Sequence, residues 1–227
     1  MEINEDGRPV FRFSLFQAFW RNKQSGVEKY FGEDSPRIGT KWMDAGSRIA
    51  EALEERPLPW WLSDITPADI SEYRIIEDFE GNLIRGSLDK FMHDQNTVID
   101  NKSLKRKMTA KEAREMEGKL LYTLEDFSKL KNKFDEKDAN KYKEQLVFYQ
   151  VLVEKRHGSV NPTSYIEVIP VIEDMNGLIR RTGEDAYSVP VPITDKERQE
   201  MREKIISTAK DINVCWEAYK RGDIKIK

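Results

Sequence analysis

Two aspartates and a lysine are spaced so that they could meet on one surface. The stretch "IRGSLDKFMHDQNTVIDNKS", residues 84–103, reads as two β-strands joined by the polar turn "HDQN". Side chains alternate along a strand, so Val98, Asp100 and Lys102 share one face while Ile99 and Asn101 take the other. In the strand before, the same alternation groups Arg85, Ser87, Asp89 and Phe91, and hairpin pairing can bring Asp89 near Asp100. Two carboxylates held together repel, a cost that a divalent cation between them removes, and magnesium is the natural candidate. Such an ion orients a water, lowers its pKa and neutralises charge on a phosphodiester, while Lys102 positions or deprotonates the attacking water. The chemistry indicated is phosphodiester hydrolysis. D-x-K by itself is weak evidence and is better read as a surface hairpin with ordinary solvated salt bridges. The context is more specific: G-x-x-D from Gly86 to Asp89, a short turn, an apolar strand ending in D-x-K-S, then a helix bearing Q-x-x-x-Y at Gln145 and Tyr149.

The elements that must hold these residues are legible in the periodicity. Residues 11–31, with Phe13, Phe16, Phe19 and Trp20 at near-helical spacing, predict an amphipathic opening helix. A second helix is expected over 40–55, where Trp42, Ala45, Gly46, Ile49 and Leu53 form a stripe that "RPLPWW" stops. The pattern then shifts to strands: "EYRIIEDF", "NLIRGSLDKFMHD" and "NTVIDNKS", separated by turn chemistry, form an antiparallel meander. Thr109 and Glu112 have capping-box spacing for a helix over 110–121, followed by a charged connection. A partly buried helix over 142–156 carries Leu146, Tyr149 and Val153, and "SYIEVIPVI" (164–172) is a fourth strand. A second capping box, Thr194 and Glu197, opens a long C-terminal helix over about 195–221 that should end at Gly222. The core order is α, β, β, β, α, β.

Bulk composition narrows the setting. The 227 residues are enough for one domain with a sizeable core, and 35% are charged, yet the net charge is only −3. The total announces neither nucleic acid nor membrane, because a partner responds to the local field. The single cysteine, Cys215, excludes an intramolecular disulfide and any multi-cysteine zinc or iron–sulfur site, and reads as a small helix residue. No window approaches the ~18 apolar residues of a membrane span, so an untargeted cytoplasmic protein is expected. A protein partner cannot be read from the sequence.

"GSLDKF" followed by "VIDNKS" and then "KEQLVFYQVLV" resembles the motifs of the RecB-like branch of the PD-(D/E)XK nuclease superfamily, close to its Cas4-like members but without their four-cysteine iron–sulfur cluster. The opening "FSLFQAFWRNKQSGVEKYF" and the closing "INVCWEAYKRGD" resemble the first and last helices of such domains, so the likeness runs over roughly residues 12–222. It implies an α/β (α+β) restriction-endonuclease-like core with a central mixed four-stranded sheet flanked by helices. Extra N- and C-terminal helices would complete a single domain over 1–227, with its core at about 40–172. It further implies that Asp89 and Asp100 ligate Mg2+ or Mn2+ and that Lys102 is the catalytic lysine. Gln145 and Tyr149, one helical turn apart, would touch the nucleic acid strand or brace the site; read without the family, Tyr149 is core and Gln145 flanks it. The activity implied is that of a metal-dependent deoxyribonuclease of phage, repair or recombination type, an exonuclease or a single-strand-preferring enzyme acting on single strands or duplex ends. The alternative is a nuclease-like domain that binds nucleic acid or a protein without cutting.

The sequence departs from the family at one ligand. The family places a metal-binding His or Glu four residues after a helix glycine, and counting from Gly46 puts Ala50 there. Glu51, adjacent but angled off the apolar stripe, and Glu54, one turn beyond, are the available substitutes. Lys105, Arg106 and Lys107, with Lys111 and Arg114 beyond, form a basic run beside the aspartates suited to backbone phosphates. Trp60 and Trp61 could stack on unpaired bases or simply pack. His93 and His157 lack metal-ligand spacing and are expected at a turn and a helix end.

Overall fold

A computed structural model of the chain describes residues 2–31, 51, 65, 69–106, 134–173, 179–181 and 185–224. Its centre is the expected meander, β3 (Ile70–Phe79), β4 (Asn82–Met92) and β5 (Thr97–Arg106), with neighbouring strands antiparallel. The β3–β4 connection is a two-residue turn in which Glu80 and Gly81 both have positive φ, the twist that suits a tight hairpin. β6 (Thr163–Glu173) pairs with β5 in parallel, so the sheet is mixed. A parallel partner needs a crossover, and α4 (Lys143–His157), preceded by the short α3 (Glu136–Ala139), supplies it.

Four strands outside the expected set extend this sheet among the described residues. β1 (Glu2–Ile3) and β2 (Pro9–Arg12) precede α1 (Phe13–Arg21) and α2 (Lys23–Phe31). The opening segment is therefore a strand and two helices that break at Asn22, where a single helix was expected. β2 runs parallel to β4 and pairs only with Leu83–Arg85. β7 (Ile179–Arg181) and β8 (Tyr187–Pro192) pair antiparallel with the other edge of β6. The expected helices over 40–55 and 110–121 lie outside the described residues, apart from helical Glu51.

α4 is buried without a break from Leu146 to Val153, because the sheet covers one side and α1 and α5 (Asp195–Lys220) cover the other. An amphipathic period is absent from such a helix for that reason. Its one polar residue in that run, Gln150, is fully buried and satisfied: its amide donates to Asn161 O at 2.8 Å and Ser164 Oγ at 2.9 Å. The layer above α4 is aromatic, with Phe13 and Phe16 packed on Phe148 at 5.2 and 5.5 Å between ring centroids. Gly86 is what lets α4 lie so close to β4. A Cβ there would sit 2.7 Å from Leu152 Cδ1 and 3.3 Å from Tyr149 Cδ1. α5 opens with the expected capping box, Thr194 Oγ1 accepting from the Glu197 amide while the Glu197 carboxylate accepts from the Thr194 amide.

Candidate nuclease site

The sheet splits on one edge of β4. β2 pairs with its first residues, and β5 pairs only with Lys90, Phe91 and Met92. The segment 86–89 between these partners faces a gap, and Asp89 stands at its mouth. Its Oδ2 accepts from the Asn101 backbone amide at 2.8 Å, occupying the place where the β4–β5 ladder would have continued. Asp100 lies opposite, 2% exposed. Its Oδ1 accepts from Gln145 Nε2 at 3.3 Å, and that nitrogen also donates to the Tyr149 hydroxyl at 3.0 Å. Asp89, Asp100, Lys102, Gln145 and Tyr149 are thus brought together, with Gln145 and Tyr149 on the α4 face that covers β5.

The electrostatics are those of a site short of positive charge. Burial pushes the Asp100 carboxyl up to about 6, and the Lys102 ammonium only partly offsets that, while Asp89 beside it pushes further upward. Asp89 is also raised by burial, against the pull of Lys102 and the Asn101 amide. Lys102 forms an ion pair with Asp100 Oδ2 and rests 4.9 Å over the Tyr142 ring. Burial disfavours its charge, but Asp100 and Asp89 prevail and raise its pKa, so it is held as an ammonium. Tyr149 is pushed up by burial and the surrounding carboxylates, which keeps the phenol protonated as a donor or acceptor of neutral hydrogen bonds.

Asn101 Oδ1 is buried and accepts no hydrogen bond among the described residues, while buried Asp100 Oδ2 meets the Lys102 ammonium of its ion pair. Hard carboxylate oxygens on two adjacent buried groups, both raised by burial that the Lys102 ammonium offsets only in part, fit a divalent cation of the magnesium or manganese type. Asp89 and Asp100 are the residues that would hold it. Among the described residues no group of three potential ligands is assembled, so exposed Glu51 is not gathered to the pair. Glu54 lies outside the described residues. The backbone of β5 continues to Arg106, which places Lys105 and Arg106 on a strand rather than in a basic loop. Lys107, Lys111, Arg114, Trp60 and Trp61 lie outside the described residues.

Several polar groups beside the site were not anticipated. A cavity of about 520 Å³ opens against Gln145 and Tyr149, lined by Arg12, Arg21, Arg85 and Lys141 against one acid, Glu144. Arg85 is ion-paired with Glu2, and Lys141 with Asp138. Arg12 lies 5.6 Å over the Tyr30 ring, and neither it nor Arg21 has a carboxylate partner among the described residues. Arg12 and Arg21 flank α1, and in the sequence nothing separates them from ordinary solvated ends of a helix. Strand alternation also misplaced a residue. Gly86 meets α4 through Leu152 and Tyr149, yet Phe91, an odd number of residues later, stacks on His157 at the end of the same helix. A regular strand would put them on opposite faces, so β4 changes face between them.

No family model matches the chain, and no curated protein does. Among solved structures it is similar to a protein of Eubacterium rectale named as an inferred exonuclease, at 12% identity and a TM-score of 0.54, over 99% of this chain and 89% of that one. It is also similar to a phage-related exonuclease from Haemophilus somnus, at 14% identity and a TM-score of 0.49, over 93% and 83% of the two chains. The first likeness is one of architecture: this chain has a mixed α/β fold with a central mixed sheet flanked by helices, shared with a nuclease-like neighbour.

Proposed function

We propose that the chain is a metal-dependent DNA nuclease of the PD-(D/E)XK, RecB-like kind, an exonuclease or single-strand-preferring hydrolase of phage, repair or recombination type. The observation that carries the reading is the set of Asp89, Asp100 and Lys102 gathered where β4 and β5 part, beside a cavity whose charged lining is mostly cationic. A bound Mg2+ or Mn2+ would supply an activated water and charge neutralisation at the phosphodiester. Asp89 and Asp100 would hold that ion, with Glu54 the remaining candidate for a third ligand, since Glu51 is not gathered to the pair. Lys102, kept as an ammonium, donates to the water or to developing negative charge on the phosphate; in that state it is not a base. Gln145 bridges Asp100 and Tyr149, so it orients the first ligand and presents the second residue to the strand. Arg12, Arg21 and Arg85, with Lys105, Arg106 and Lys107, provide sequence-independent contacts to backbone phosphates.

The test is cleavage of single-stranded, duplex and flapped DNA in Mg2+ or Mn2+ by wild type and Asp89→Ala. Cutting that needs both the metal and Asp89 supports the reading, and a folded wild type inactive on all three substrates defeats it. A second reading, a nuclease-like domain that binds nucleic acid or a protein without cutting, is favoured by Ala50 at the usual ligand position and by the absence of a third ligand among the described residues. DNA affinity indifferent to metal and to Asp100 would select it.

A further inference from the structure

The β4–β5 register, carried one step past Lys90 and Ile99, sets Asp89 opposite Asp100, and the two face α4 because two strands change face together. In β3 and β4 the register pairs Ser71 with Lys90 and Tyr73 with Leu88, but the ladder skips the opposed residues between them, Glu72 and Asp89. Glu72 has φ +50, in the left-handed region that favours glycine and is uncommon for other residues. On one side of this point Gly86 and Ile75 face α4. On the other, Phe91 and its partner Val98 lie in the core, Phe91 stacked on His157, while Lys90 turns to the opposite face and pairs with buried Glu167. Were β4 regular from Gly86 onward, Asp89 would fall with Arg85 and Ser87, and Lys90 would enter the α4 face where Asp100 and Gln145 meet.

We propose that Glu72 is a positioning residue whose left-handed backbone creases β3 and β4 together and thereby sets Asp89, with Asp100 opposite it, on the face that α4 covers. The crease acts through backbone conformation, and strain of this kind persists where the surrounding structure holds it in place. Phe91, locked between Tyr73 at 4.8 Å and His157 at 5.3 Å, and the Lys90–Glu167 pair are what hold it. Its consequence for metal binding rests on the nuclease reading above; its consequence for the position of Asp89 does not.

Substitutions at residue 72 separate backbone from side chain. Glu72→Gly and Glu72→Asn tolerate positive φ without a carboxylate, Glu72→Gln keeps the shape without the charge, and Glu72→Val disfavours the left-handed region. The first readout is the NMR contact between the Asn101 amide proton and the Asp89 Hβ protons. It is expected in wild type, Gly, Asn and Gln variants and lost in Val. The second is Mn2+ affinity, expected within about threefold of wild type in Gly, Asn and Gln and about tenfold or more weaker in Val. If Val does not fold, Glu72→Ala carries the comparison, with Mn2+ affinity below that of Gly and a weakened contact. A Val or Ala variant that keeps both readouts overturns the proposal, as does a Gly variant that loses them. If the contact follows this pattern while wild type binds no Mn2+, the crease is supported and the metal reading alone falls.

Discussion

Asp100 carries a structural cost that its proposed chemistry explains. Its carboxyl is raised from 3.8 to about 6 by burial, and by Asp89 next to it, so the folded protein binds that proton more tightly than the unfolded chain. The stabilising contribution is therefore complete below about pH 4 and lost as pH rises through about 6, amounting to about 3 kcal/mol by neutral pH. Metal-free wild type should accordingly melt lower at pH 7.5 than its other groups require, and Asp100→Asn should raise that melt and flatten its pH dependence between 4 and 7. Thermal melts in chelator across that range check this. Added Mn2+ should stabilise wild type increasingly above pH 6, where the carboxyl is ionised, and should leave Asp100→Asn unmoved. Lys102→Gln should lower kcat by about 100-fold or more with little change in KM, because an ammonium aimed at developing charge acts chiefly in the transition state; steady-state kinetics on a labelled oligonucleotide measure the split.

Between β4 and α4 the contact is set by one missing side chain. Gly86→Ala places a Cβ against Leu152, Ile75 and Tyr149, all in the core, and should cost about 1–3 kcal/mol in urea unfolding. Because Tyr149 is among the displaced groups and holds Gln145, the same variant should weaken Mn2+ binding more than a Leu152→Ala cavity does. A Gly86→Ala protein with wild-type stability would show that α4 is free to move off the sheet. On the far face of the sheet, the ion pair of Lys90 and Glu167, 3% and 2% exposed, should also be intolerant of single cuts. Lys90→Met leaves a buried carboxylate and should cost about 3–5 kcal/mol, and the double variant Lys90→Met with Glu167→Leu should recover most of it.

For the molecule as a whole, the net charge of −3 conceals a cavity rim of cations, so nucleic acid affinity should be steeply salt-dependent despite the acidic total. Removing Arg12 and Arg21 together should weaken binding of all sequences alike and reduce the salt slope by about 1–2, measured by fluorescence anisotropy from 50 to 200 mM salt. The sequence by itself determined the meander, the partly buried helix after it, the fourth strand and the capped C-terminal helix. Those elements arise from local periodicity, turn residues and caps that any chain with this pattern would express. It also put Asp89, Asp100 and Lys102 on one surface and Gln145 and Tyr149 one helical turn apart, because hairpin pairing and helical spacing are short-range geometry, while only the family resemblance joined the two sets. Only the tertiary structure decided that β2 takes one half of the β4 edge and β5 the other, opening the gap that Asp89 faces. It alone decided that Arg12 and Arg21 line the cavity beside Tyr149, across more than a hundred residues of chain. And it alone decided that Asp89 and Asp100 face α4 on the same side as Gly86, since strand alternation is a property of regular backbone and β4 is not regular there: the crease at Glu72 sits among contacts of Phe91, His157 and Glu167 that no local pattern encodes.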